Sequence, residues 1–418
     1  MLRSLALTIS CCLLAACATT SPPRGAVRAD GSVDTQKIDA EVQRVMTGAN
    51  VPGVALAIVV NGKVSYLKAY GLRDREQNLP LETDTVMYAA SLTKAMFAYT
   101  VMTLVDEGRI DLDRSIADYL AKPLPGYEKY ADLAGDDRWR KLTPRILLNH
   151  TTGFANYRVF TPTGFDKDGK LKFWFDPGTR YAYSGEGINL LQFVLDNGTL
   201  DQGKGIDVDA LINERVYRRF GMKNSAMTWR ADFANNLAIG YDEAGKPLGH
   251  KQRGGVRAAG SMDTTPADYA AFLAGVQRGE GITARAKAEL WRPQVRIDSK
   301  REFPSLAPET TDENRVIDLS YALGWGVYTS PRGGRIVFKE GSDDGWNNYA
   351  ALDERRGVGL LIMANSSNAK GIMKYLADAV LGDTCMPWYW QGYKPFDRPE
   401  LMTEEAVKDP HPPCGAVR

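Results

Sequence analysis

Val86-Met87-Tyr88-Ala89-Ala90-Ser91-Leu92-Thr93-Lys94-Ala95-Met96-Phe97-Ala98-Tyr99-Thr100-Val101-Met102-Thr103-Leu104-Val105 is the stretch on which the reading of this chain turns. Its first five residues predict an extended approach, and the run from Lys94 to Val105 predicts a largely buried helix closed near Gly108. Ser91 then stands at the helix N-terminus, and Lys94, three residues on, shares its face. There the amine can activate the hydroxyl. Free backbone N–H groups and the positive end of the helix dipole favour a developing oxyanion at the same place. The same four residues also suit a plain N-cap serine with a solvated first-turn lysine. A lysine one turn inside so apolar a helix must snorkel or find partners, which turns the reading toward chemistry.

Working outward, Gly53 to Val60 and Lys63 to Tyr70 flank Asn61-Gly62, a strong type I′ hairpin signal, and a helix is expected over 39–47. Residues 335–338, 346–352 and 359–364 predict three more antiparallel strands, followed by a helix over 370–381. Strands from both ends of the chain can complete one sheet while the middle forms a second lobe. The expected fold class is therefore α/β, a central antiparallel sheet flanked by helices plus a mainly helical lobe. The sheet lobe would come from 36–85 and 320–384, and Ser91 would lie in a cleft where the lobes meet.

The N-terminus places the protein. A short basic start at Met1-Leu2-Arg3 precedes an apolar run from Leu5 to Leu14, too short for a membrane span, which ends in Leu14-Ala15-Ala16-Cys17. Residues 1–16 look like a bacterial lipoprotein signal, with Cys17 the lipidated first residue of the mature chain and Ala18 in the pattern that allows outer-membrane sorting. An ordinary secretory signal cleaved elsewhere is the alternative. Residues 17–35, with Pro22, Pro23 and Gly25, read as a tether. Of the five cysteines, only Cys385 and Cys414 lie beyond Cys17. An oxidising periplasm permits a disulfide between them that staples a tail over 385–418; two unpaired thiols are the other reading.

A formal charge of +1 over 418 residues leaves no electrostatic footprint for nucleic acid. Three histidines, His150, His250 and His411, show no ligand spacing, so neither a metal nor a cofactor is expected. Two further segments offer partners for Ser91. Tyr183 follows the Pro177-Gly178 turn and precedes a helix over 188–195, where a phenolate held low by a neighbouring ammonium would be a competent base. Lys339, at the end of a strand, can present positive charge to a substrate carboxylate or to Tyr183. Taken singly, a packed tyrosine and an edge-strand lysine explain the two as well. His150, in Asn149-His150-Thr151-Thr152-Gly153, reads as part of a structural turn beside the cleft.

Together these elements resemble the serine beta-lactamase and penicillin-binding-protein-like family, the group of class C beta-lactamases, DD-peptidases and family VIII esterases. The resemblance runs over roughly residues 39–382 and rests on Ser91 to Lys94 with Tyr88-Ala89-Ala90 before it. Val51-Pro52-Gly53, the stretch from Gly108 to Asp113, that from Leu147 to Gly153, and Phe220-Gly221-Met222 support it. It implies a beta-lactamase/transpeptidase-like fold and an acyl-enzyme at Ser91, with Lys94 as activator and Tyr183 as the proton carrier of a Y-x-N motif. It implies Lys339 in the place of the K-T-G lysine, and an oxyanion hole from the backbone N–H groups of Ser91 and Ser342.

Two departures stand out. Gly185 occupies the position of the Y-x-N asparagine and removes an amide that would hold Lys94 and a substrate side chain, which Glu186 would offset by pairing with Lys94. Glu340 replaces the K-T-G threonine and sets a negative charge where a β-lactam carboxylate would dock. The expected function is an envelope ester hydrolase, with a D-amino-acid peptidase, amidase or weak beta-lactamase as the second reading and a non-catalytic envelope binding protein as the third. The expected partners are a small ester, amide or peptide substrate and the lipid anchor, with no obligate protein partner. The aromatic run Trp388-Tyr389-Trp390-Gln391-Gly392-Tyr393 is expected to pack the tail across the body, with a glycan or headgroup surface as the alternative.

Overall fold

The strand Gly53–Val60 (β1) is buried at all eight positions, because both of its faces are covered. Val54, Leu56, Ile58 and Val60 enter one core; Ala55, Ala57 and Val59 enter the other. The structure, a computed structural model, describes residues 25–402 apart from position 332. The first core is closed by helices α1 (Thr35–Ala49) and α5 (Met373–Leu381). The second is closed by α2 (Leu92–Asp106), α3 (Gly185–Asn197) and α4 (Pro266–Arg278), which belong to the helical lobe.

The sheet has nine strands. After β1 come β2 (Lys63–Asp74), β3 (Leu79–Pro80), β4 (Val295–Arg296), β5 (Ser320–Tyr321), β6 (Gly326–Thr329), β7 (Arg335–Asp343), β8 (Trp346–Asp353) and β9 (Val358–Ala364). Their spatial order is β4-β5-β6-β7-β8-β9-β1-β2-β3, antiparallel throughout. The two ends of the chain meet where β1 pairs with β9, from Val54 opposite Ala364 to Val60 opposite Val358. The Asn61-Gly62 turn has positive φ at both residues, 49° and 75°, as a type I′ hairpin requires.

Helix α2 is buried from Leu92 to Leu104, apolar on every side because it runs through the middle of the helical lobe. It ends just before Gly108, whose φ of 68° lets the chain turn away. Thr265 caps α4 by accepting the Asp268 N–H, with Pro266 in the first helical position.

Three expected boundaries move. Strand β4 lies outside the two segments assigned to the sheet lobe, because residues 297–319 fold back and let Val295 pair with Tyr321. The last part of the expected tether is docked: Ala26 and Val27 are buried, and the Ala26 N–H donates to Ala379 O of α5. The expected tail joins the body as far as residue 402, since Trp388, Tyr389, Trp390 and Tyr393 are all buried in the α1–α5 core. Cys385 is disulfide-bonded. Cys414, the signal of residues 1–16 and Cys17 lie outside the described residues, among which no helix is long and apolar enough to cross a membrane.

Candidate active site

Two elements set the site. The first is the entry to α2. Ala90 has a φ of 48°, a conformation costing a non-glycine residue about 1–2 kcal/mol, and it turns the chain sharply into the helix. Bonds on both sides hold that turn: Ala89 N–H donates to Met262 O at 3.0 Å, and Thr93 Oγ1 donates to Ala90 O at 2.6 Å. Ser91 sits at the N-cap position, but its side chain caps nothing. Its hydroxyl is therefore free for Lys94, whose Nζ lies 2.9 Å from Ser91 Oγ.

The second element is the end of β7. Strand β8 pairs with it as far as Asp343, whereas β6 pairs only to Phe338, so one edge of 339–343 is left open. Gly341 brings that edge across the N-terminus of α2. A Cβ there would sit 2.4 Å from Ala89 O and 3.0 Å from Leu92 N, so only glycine allows the approach. Ser91 and Ser342 thereby come to line the same cavity, about 430 Å³ in volume. Tyr183, delivered just before α3 by Ser184, whose hydroxyl caps that helix, lines it too. Ser91, Lys94, Tyr183, Lys339 and Ser342 are thus one cluster.

The electrostatics differ from the expectation at Tyr183. Its side chain is buried with both lysine nitrogens 4.9 Å from its ring centroid. Burial, and then the Glu340 carboxylate, nevertheless push the phenol well above its ordinary range, against a hydrogen bond with Ser91 that favours ionisation. The resting group is a phenol rather than the expected phenolate. Lys94 moves the other way: burial, then repulsion from Lys339, hold its amine well below the lysine range. A neutral Lys94 can donate one N–H to Ala259 O and offer its lone pair to the Ser91 hydroxyl.

Lys339 is fully buried and does not reach the cavity surface, so it cannot meet a substrate carboxylate directly. Its ammonium donates to the Glu340 carboxylate and, at 3.0 Å, to the Glu340 carbonyl. Burial is the largest influence on this amine and pulls it down, but Glu340, Tyr321 and Glu302 together keep it above the lysine range; reciprocally, burial pushes Glu340 up, and the Lys339 charge with hydrogen bonds from Lys339 and Glu302 holds it below the carboxylate range. Glu302, from the loop after β4, is buried beside them, and burial followed by the Glu340 charge pushes it well up, so it stays protonated and hydrogen-bonds to Glu340. Lys339⁺, Glu340⁻ and neutral Glu302 leave this wall of the cavity with no net charge.

His150 packs its ring 4.3 Å from that of Tyr183, and its Nδ1 accepts the Ser184 N–H at 3.1 Å. Burial, then Lys94 and Lys339, keep it neutral, so it steadies the Tyr183 segment. His250, which the sequence leaves without a role, is a buried partner of Asp263 at 2.9 Å. Glu186 pairs with Arg158 and not with Lys94, since α3 directs it to the loop carrying Asn156 and Arg158. Asn156, Asn189, Arg257 and Glu302 also line the cavity, and so do Gln391 and Tyr393 of the aromatic run expected to pack the tail. Asn156 Oδ1 accepts the Gly185 N–H at 3.0 Å, which places an amide beside the position that lacks the Y-x-N asparagine. Among the described residues no group of three or more His, Cys, Asp or Glu side chains is placed to hold a metal ion.

The profile of the family described as Beta-lactamase matches residues 38–382. The chain belongs to that family. It is a serine hydrolase, as its relatives in the family are. The D-alanyl-D-alanine-carboxypeptidase/endopeptidase AmpH of Escherichia coli K12 is 25% identical over 353 residues, covering 79% of this chain and 83% of that protein. A beta-lactamase of Pseudomonas fluorescens is 22% identical over 377 residues, covering 83% of this chain and 97% of its own length. The solved structure of the D-alanine carboxypeptidase AmpC from Burkholderia cenocepacia superposes with a TM-score of 0.61 at 18% identity, over 80% of this chain and 94% of that one. The beta-lactamase/D-alanine carboxypeptidase of Pseudomonas syringae gives 0.63 at 19% identity, over 83% and 98%. Both share the fold, a large antiparallel sheet with flanking helices.

Proposed function

We propose that the protein hydrolyses uncharged carboxylic esters through an acyl-enzyme at Ser91. The observation that carries this reading is the closed Lys339–Glu340 pair: the buried lysine charge is spent on the chain's own carboxylate, and Glu340 is the member of the pair that faces the cavity. An anionic substrate group docking there would find the Glu340 carboxylate in front and no Lys339 charge left over to hold it. Gly185 further lacks the Y-x-N amide, and the Asn156 amide beside it has its oxygen engaged by the Gly185 N–H.

The proton inventory closes around a neutral Lys94, a protonated Tyr183 and a charged Lys339, the states that their surroundings favour. Neutral Lys94 takes the Ser91 proton as Oγ attacks the carbonyl, with the Ser91 and Ser342 N–H groups as donors to the oxyanion. The Tyr183 phenol gives its proton to the leaving alkoxide, and the Lys339 ammonium beside the ring stabilises the phenolate left behind. In the second half-reaction that phenolate takes a proton from the attacking water, while the Lys94 ammonium returns its proton to Ser91 Oγ. Two groups whose environments push them apart thus serve as base and acid.

The test is parallel turnover of p-nitrophenyl butyrate and nitrocefin by the signal-free protein, with Ser91→Ala as blank. Ester turnover that vanishes in Ser91→Ala, with nitrocefin untouched, is the expected result; Ser91-dependent nitrocefin turnover overturns the preference for uncharged esters. One observation favours a second reading, a D-amino-acid peptidase: Arg257 and Lys370 line the cavity and offer cations to a terminal carboxylate. Release of D-alanine from D-alanyl-D-alanine peptides, lost in Arg257→Ala, would establish it. We also propose that the enzyme works in the cell envelope on a lipid at Cys17, a reading that rests on the Leu14-Ala15-Ala16-Cys17 pattern. Palmitate labelling of the full chain that persists in Cys17→Ser would remove it.

A further inference from the structure

Among the described residues, seven large apolar side chains are exposed; three of them, Tyr157, Phe160 and Phe303, line the catalytic cavity, and a fourth, Phe165, lines an adjoining groove with Phe160 and Phe303. Such clustering is what a binding surface looks like, since scattered exposed hydrophobics are the ordinary case. Phe160-Thr161 pairs with Gly164-Phe165 in a small hairpin, with the Phe160 and Phe165 rings 6.2 Å apart. Phe303, whose ring lies 5.3 Å from that of Tyr183, faces this hairpin from the loop that also carries Glu302. Between hairpin and loop runs a groove of about 690 Å³, within the range of small-ligand sites. No charged side chain lines it, and its polar groups are hydroxyls and the Asn156 amide.

The groove is continuous with the catalytic cavity, because Asn156, Phe160 and Phe303 line both. A group lying in it can therefore be part of the same molecule whose carbonyl sits at Ser91. We propose that this groove is an apolar subsite of the enzyme that seats a hydrocarbon chain of the substrate, so that the preferred substrates carry a medium or long alkyl chain. The inference deepens the ester-hydrolase reading and rests on it for the bond cleaved, though not for the shape of the subsite. A protein partner would find less here: the apolar surface is confined to the rim of one cavity, and the hairpin and loop close it on two sides.

The test reads Ser91 chemistry without requiring turnover. Alkyl fluorophosphonates with ethyl, butyl and octyl chains react when Ser91 Oγ bonds to phosphorus, fluoride leaves and Lys94 takes the serine proton; intact-mass spectra follow the labelled fraction. Each buried methylene is worth about fourfold, so burial of only two of the added groups makes the octyl reagent at least about tenfold faster than the ethyl one. Phe165 is 67% exposed and Phe160 43% exposed, so Phe165→Asp and Phe160→Ser alter the groove without opening the core, and both should shrink the octyl-to-ethyl ratio toward one. A flat series in the unaltered protein overturns the proposal. So does a steep series that neither variant changes, because the chain would then lie elsewhere. A steep, groove-dependent series in a protein that turns over no ester would keep the subsite and discard the ester reading; no labelling of Ser91 at all would discard both.

Discussion

Lys94 at the start of α2 and Lys339 near the end of β7 are both buried, and each holds its nitrogen 4.9 Å from the centre of the same Tyr183 ring. Burial disfavours the charge on both. They nevertheless end in opposite states, because Lys339 has a carboxylate bonded to it and Lys94 has only a carbonyl and a hydroxyl. Lys94 is left with a lone pair aimed at Ser91, and Lys339 with a positive charge fixed behind the tyrosine. The difference teaches that the site's charges are set by which lysine owns Glu340.

Removing each lysine should break the symmetry in opposite ways. Lys94→Met deletes the base that faces Ser91, and phosphonylation or acylation of Ser91 should fall by about 10²–10⁴-fold. Its folding stability should not fall with it, because a buried amine is replaced by an apolar side chain of similar length; thermal unfolding beside the labelling rate checks both. Lys339→Met should act first on folding. It leaves Glu340 buried without its partner, a loss of about 3–5 kcal/mol in urea unfolding, most of which Lys339→Met combined with Glu340→Gln should recover.

The same variant sharpens the comparison through pH. Below its pKa Lys94 is an ammonium and cannot accept the serine proton, so kcat/KM should fall as pH falls, along a limb set well below the ordinary lysine range. Lys339→Met removes a positive charge that repels the Lys94 ammonium and frees a negative one that attracts it. Both changes raise the Lys94 pKa, so the acid limb should move to higher pH. A limb that stays put, or moves down, would mean that Lys94 is not the group titrating there.

How much of this could be read from the sequence follows the range of the interactions involved. Helix α2, the Asn61-Gly62 hairpin and strands β8 and β9 follow from local pattern, and structure and sequence agree on them, while β7 runs past the expected 335–338 to Asp343. Ser91, Lys94, Tyr183, Lys339 and Ser342 were each nameable from motif and order, and they do meet in space. The state of Tyr183 was not nameable: a neighbouring ammonium is visible in a motif, whereas full burial and a carboxylate closer to balance are properties of the packed site. Glu340 was visible as a departure, but whether it faces the substrate or its own neighbour is a matter of side-chain geometry. Glu302, Gln391 and Tyr393 reach the cavity from loops far along the chain, held by contacts such as the Glu302 N–H to Trp390 O at 2.9 Å, and no periodicity announces them. The aromatic run at 388–393 was legible as packing, and its place behind the active site was not.

Glu302 supplies the smallest and most discriminating test of the two-lysine picture. If its carboxyl is protonated and donates to Glu340, a glutamine in its place keeps the shape and an N–H donor while removing the proton that could be lost. Glu302→Gln should then change kcat/KM at neutral pH by no more than about threefold, and at acid pH, where both side chains are neutral, should leave stability within about 1 kcal/mol of the parent. Above the ordinary carboxylate range the two proteins should part. A carboxyl whose folded pKa is raised gives stability that is intact below the ordinary carboxylate pKa and is lost progressively as pH rises from there through the folded value, because the unfolded chain gives up that proton first. Glutamine cannot ionise, so the variant should hold its stability further up the scale than the parent. Were Glu302 instead ionised at neutral pH and sharing Lys339 with Glu340, the substitution would remove a charge that steadies that lysine, and the variant would be less stable at neutral pH, with its acid limb displaced.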